Sequence, residues 1–66
     1  MNYLVMQESG TQIVPANELR SVIDGGKGRI RIFRLCGMND PKELFLRWFG
    51  NAYIVEDRHG NMEEGL

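Results

Sequence analysis

Few residues of this chain have types and spacing that could do chemistry, and the first group is Gly25-Gly26-Lys27-Gly28. A lysine among glycines suggests a phosphate-cradling loop, in which backbone N–H groups and the lysine hold phosphates while a following Ser or Thr holds magnesium. That loop reads G-x-x-x-x-G-K-[ST] and leads from a strand into a helix. Here a glycine follows Lys27, and the stretch leads from a helical pattern into a strand-like one, so the phosphate loop is excluded.

Cys36 and His59 are the remaining nucleophile and base, since an imidazole can deprotonate a thiol and the thiolate attacks carbonyls. Cys36 ends an apolar strand pattern, His59 falls in a polar terminal stretch, and no third group is placed to orient them. A buried small hydrophobe is the commoner role for such a cysteine. Glu56 and Asp57 are adjacent in a strand-like run, so they point to opposite faces and cannot share a proton. One Cys and one His fall short of the four ligands of a structural zinc site. The expectation is a protein that is not an enzyme and uses no cofactor or metal.

Binding chemistry is better represented. Lys27, Arg29, Arg31 and Arg34 lie in a stretch with no acid between Asp24 and Asp40, which could present a basic strand face to a nucleic-acid backbone or an acidic partner. The core octapeptide of the RNA recognition motif needs aromatics at its third, fifth and eighth positions to stack on bases. Lys27 to Arg34 has Arg29, Arg31 and Arg34 there instead, so no stacking platform exists. The plain alternative is a set of arginines that solvate a sheet and guard its edge.

These residues must be positioned by a small core. A chain of 66 residues forms a single domain and buries only about 60% of the surface it exposes when unfolded. Its single cysteine rules out an internal disulfide and fits a reducing compartment. No apolar run approaches a membrane span, and MNYLVMQES lacks the basic start of a signal peptide, so a cytoplasmic location is expected. Hydrophobic residues make up 42% of the chain and charged residues 26%, with a formal net charge of -1. That is the balance of a soluble globular domain rather than a disordered one.

Asn2–Gln7 and Thr11–Val14 read as a β-hairpin, and Pro15 then opens a helix in which Ala16, Leu19, Val22 and Ile23 recur at helical spacing. Gly25 suits its end. Arg29–Cys36 and Ala52–Asp57 read as strands, although strict alternation puts Phe33 on the arginine face and Arg34 on the isoleucine face. Asp40–Phe49 has Asp40 as N-cap, Pro41 at the first position, Glu43 completing a capping box and Gly50 at C′, which predicts a second helix. The same segment could instead pair as a strand with Ala52–Glu56 across a Gly50-Asn51 turn, setting Trp48 opposite Tyr53. The expected fold is therefore an α+β two-layer sandwich, with a largely antiparallel sheet under one or two helices in the order β-β-α-β-α-β. Residues 1–58 form this domain, and the acidic, glycine-bearing tail 59–66 is expected to be poorly ordered.

As a helix, Asp40–Phe49 would spread Leu44, Phe45, Leu46, Trp48 and Phe49 over an arc wider than one sheet can cover. Trp48, Phe49 and Tyr53, with Arg47 beside them, are then the candidate partner-binding residues, because Trp, Tyr and Arg dominate binding hot spots. The function expected is that of a small interaction protein occupying a surface on a larger protein or nucleoprotein, or on a second copy of itself. Its size fits a phage or accessory inhibitor, for example of a host defence complex. A nucleic-acid-binding or regulatory module using Lys27, Arg29, Arg31 and Arg34 is the alternative.

Overall fold

The computed structural model describes residues 1–26, 28–37 and 40–66, so Lys27 lies outside the described residues. Five strands and one helix follow in the order β1 (Asn2–Gln7), β2 (Gly10–Pro15), α1 (Ala16–Gly25), β3 (Ile30–Leu35), β4 (Pro41–Phe49) and β5 (Ala52–Asp57). The strands form one sheet in the spatial order β2-β1-β3-β4-β5, with every neighbouring pair antiparallel. Because β1 is antiparallel to both its neighbours, β2 and β3 run parallel on either side of it, and α1 is the crossover between them.

Pro15 does two jobs. Its φ of −73° and ψ of 163° end β2 in extended geometry and serve as the N-cap position of α1, so strand passes into helix with no loop. The apolar stripe of α1 then lies on the sheet, with Leu19 and Ile23 buried and Ala16 and Val22 partly so. Beneath them sit Tyr3, Val5, Val14, Ile32, Leu44 and Val55, so every strand sends at least one side chain into this core. The pairings Tyr3↔Val14, Val5↔Ile32, Ile32↔Leu44 and Leu46↔Val55 put these residues on one face of the sheet.

Asp40–Phe49 contains no helix. Pro41–Phe49 is the strand β4, paired from Pro41 to Leu44 with β3 and from Leu44 to Phe49 with β5. Its first half is held by β3 on one side and its second half by β5 on the other, and a helix there would forfeit both ladders. The local helix signals are spent otherwise. Asp40 pairs with Lys42 at 2.9 Å, and Glu43 accepts a bond from Arg31 Nε at 3.1 Å. Gly50 has φ +62°, which suits a helix C′ position and the first position of a type II′ hairpin turn equally well. The hairpin wins, and Trp48 stands opposite Tyr53.

Ladder alternation runs through Phe33 and Arg34 without a bulge, from Gln7↔Ile30 to Asn2↔Leu35. Arg34 therefore shares the core side with Ile32, while Phe33 joins Arg31 on the opposite face.

Candidate interaction surfaces

The side chains expected to bind a partner are divided by the sheet. Trp48 and Tyr53 stand on the helix side; Arg47 and Phe49 stand on the other. Trp48 and Tyr53 meet edge to face, with centroids 5.0 Å apart at 64°. Two residues one helical turn apart on α1 hold Tyr53 in place. Asp24 accepts a hydrogen bond from its hydroxyl at 3.1 Å, and the Arg20 guanidinium lies 5.1 Å from its ring centroid. Burial, then the Asp24 carboxylate, holds the Tyr53 phenol above the ordinary tyrosine range. Beside the pair, Ile23, Ile30 and Leu46 complete a shallow groove of about 270 Å³ at the C-terminal end of α1.

No element covers the opposite face of the sheet among the described residues. The registers place Leu4, Met6, Ile13, Phe33, Leu35, Phe45, Phe49 and Ile54 on it. Phe45 is 44% exposed, Phe49 57% and Ile13 61%, and Met6 is exposed as well. Two ion pairs cross this apolar field, Arg31–Glu43 at 3.1 Å and Arg47–Glu56 at 2.9 Å, so the face is mixed and close to neutral. Arg31 also stacks over Phe33, 5.1 Å from the ring centroid.

Among the described residues, Arg29, Arg31 and Arg34 do not form one surface. Arg29 precedes β3 and is exposed, Arg31 is paired on the open face, and Arg34 points to the core side. There Arg34 Nη1 meets Glu63 Oε1 at 2.7 Å, and the Tyr3 hydroxyl donates to Glu63 Oε2 at 2.6 Å. Burial first, then the Glu63 carboxylate, pushes the Tyr3 phenol well above its usual range.

Residues 58–66 reach that position by turning back along β5. Asp57 closes the turn, its side chain accepting from the His59 and Asn61 amides at 2.8 and 2.9 Å. These bonds, that to Asn61 first, hold the Asp57 carboxyl below the ordinary aspartate range. Met62 then bridges Glu56, and the Glu63 amide donates to the Val55 carbonyl at 2.7 Å.

Cys36 is exposed at the end of β3, and His59 lies in the turn after β5. Both are at the same end of the sheet with β4 between their strands, and no hydrogen bond joins them among the described residues. Nor, among those residues, do three or more His, Cys, Asp or Glu side chains gather to hold a metal ion. No helix there is long and apolar enough to cross a membrane.

Sequence reasoning found Phe45, Phe49 and Arg47 but assigned them to a helix, and it missed Met6, Ile13 and Phe33 as one surface. The available signal was Phe33, an aromatic on the wrong phase of its strand for a one-sided sheet. Compared with known protein families, characterised proteins and solved structures, the chain shows no match.

Proposed function

We propose that the protein is a non-enzymatic interaction module that binds a larger protein or nucleoprotein through the open face of its sheet. The observation that carries this reading is the uncovered set of Phe45, Phe49, Met6 and Ile13 on a face built by all five strands. Antiparallel sheets with one wet face ordinarily carry polar side chains there. Phenylalanines on that face, interleaved with arginines held by glutamates, have the composition of a protein interface: apolar and aromatic contacts plus Arg in defined orientations.

The pairing of Arg31, Arg34 and Arg47 with carboxylates supports a protein partner over a nucleic-acid backbone, because each cation already has a counter-ion. Affinity purification from the source cells tests the proposal with two variants. Phe45→Lys/Phe49→Lys loses the partner while keeping the wild-type melting profile, and Trp48→Ala, on the other side of the sheet, retains it. A partner kept by the double variant and lost by Trp48→Ala would move the site to the helix-side groove. Nucleic-acid binding that weakens steeply with salt and disappears on charge reversal at Arg29 and Arg31 would favour the alternative module.

A further inference from the structure

The two edges of the sheet are finished differently. On β5 the chain's own tail takes outward-facing groups, with the Val55 carbonyl accepting from Glu63 and the Asp57 amide donating to Asn61 at 3.0 Å. Among the described residues, the edge at β2 has no such cover. The Ala16 amide donates to the Met1 carbonyl at 3.1 Å, extending the β1–β2 ladder and fixing its phase. Gly10, Gln12 and Val14 therefore bond inward to β1, and the amides and carbonyls of Thr11 and Ile13 face outward. Nothing among the described residues bonds to them. The strand GTQIVP carries no charge, the usual guard of an exposed edge, and Pro15 withholds an amide only at its far end.

We infer that β2 pairs antiparallel with β2 of a second copy, joining two sheets into one continuous sheet about a two-fold axis. Centred on Gln12, this pairing lets the Thr11 and Ile13 amides of each copy reach the Ile13 and Thr11 carbonyls of the other. Every outward amide of the edge is then used. The segment is compatible with itself because it has no charge to repel its copy, whereas self-pairing at β5 would bring Glu56 and Asp57 toward their own copies. Ile13, the most exposed apolar residue of the strand, gains a neighbour on the open face. The row Ile13–Leu4–Phe33 then continues into the second copy.

Stacking two open faces is the competing arrangement for a second copy. It would press Arg31, Glu43, Arg47 and Glu56 against the same face of a copy, which offers only the same already paired ions to offset their desolvation, whereas a different partner can offer complementary groups. Edge pairing joins strands that carry no ion. It also enlarges the open face. Five strands about 4.8 Å apart and roughly six residues long at about 3.3 Å each give a footprint of roughly 24 by 20 Å. That is short of the roughly 800 Å² per partner of a stable interface, and a joined sheet exceeds it. This last point rests on the open-face reading; the pairing itself does not.

Sedimentation equilibrium over a concentration series, with amide exchange on the same samples, tests the inference. The wild type reaches twice the chain mass, and the Thr11 and Ile13 amides become protected as it does so. Gln12→Lys/Ile13→Lys, at two exposed positions, places lysines on both faces of the edge and raises the dimer dissociation constant at least about tenfold. Its circular dichroism and melting stay those of the wild-type monomer. Phe45→Lys leaves the dimer intact. A wild type that stays monomeric throughout overturns the inference, as does a dimer with freely exchanging Thr11 and Ile13 amides. A dimer lost through Phe45→Lys and kept by the edge variant assigns self-association to the open face instead. Loss of the partner in affinity purification with the dimer unchanged bears only on the open-face proposal.

Discussion

Arg34 and Glu63 are 29 residues apart in the chain, and their side chains meet at 2.7 Å with Glu63 only 5% exposed. The same carboxylate takes the Tyr3 hydroxyl on its other oxygen, so one residue of the tail joins the first strand to the third. A charged group this buried is worth most when every bond to it is made.

Glu63→Gln therefore costs about 2–3 kcal/mol, since Arg34 loses its counter-ion and Tyr3 bonds a neutral acceptor. In a domain of this size that lowers the melting temperature by on the order of 10–20 °C. The neighbouring Glu64 is exposed, and Glu64→Gln stays within about 0.5 kcal/mol of wild type. Thermal melts of the two variants, side by side, check this.

Asp57 sets an acid limit on the tail. Its folded carboxyl titrates below the ordinary aspartate range, chiefly through the Asn61 amide, so its contribution to stability is complete above the usual aspartate pKa of about 3.9. It is lost as the pH falls through the lower, folded value. Carbon-detected NMR titration should place the Asp57 midpoint below that of a free aspartate. Asp57→Asn should speed exchange at the His59 and Asn61 amides.

Tyr3 sets the alkaline counterpart. With its phenol raised by burial and by Glu63, the protonated form belongs to the fold. Its stabilisation is full below the ordinary tyrosine value of about 10 and is eroded as the pH rises above it. An absorbance titration near 295 nm should show Tyr53 ionising first and Tyr3 only together with loss of the fold. In Tyr3→Phe that final step disappears.

Gly50 isolates a backbone effect. Its φ is +62°, and beyond its two chain neighbours a Cβ at this position would meet no atom within 4 Å. Gly50→Ala therefore loses about 1–2 kcal/mol through local backbone strain alone, with no clash against the rest of the fold. Urea unfolding measures it, and an unchanged midpoint would mean the turn adopts another conformation.

Leu44 and Phe45 are adjacent but face opposite ways, one in the core and one on the open face. Leu44→Ala costs about 2–5 kcal/mol. Phe45→Ala, at a half-wet position, costs well under that and leaves cooperative unfolding intact. Chemical denaturation of the pair checks the strand assignment directly.

Much of the fold was legible. The hairpin of β1 and β2 followed from two short extended runs around a glycine-containing turn and α1 from its helical spacing, and β5 reads as a strand whichever way Asp40–Phe49 is taken. The misassigned segment shows why local signals run out. Asp40, Pro41 and Glu43 satisfy the rules for a helix start, yet each also fits the approach to a strand, and Gly50 serves a helix end or a hairpin turn with the same φ. Nothing local distinguishes them, because the deciding energy comes from the ladders that β4 makes on both sides.

The candidate surfaces were less legible still. The aromatic and arginine types of Arg47, Trp48, Phe49 and Tyr53 mark binding potential. Which side of a sheet each occupies follows from register, and register is a relation between strands. A small domain, its amphipathic helix and the aromatic composition of the β4–β5 hairpin could be read from the residues alone, because those depend on residue type and short-range spacing. Three-dimensional pairing was needed to show that β4 is a strand, that Arg34 is held by the tail, and that one sheet face and one edge stay uncovered among the described residues. Those outcomes depend on long-range backbone pairing and on which surface the one helix covers.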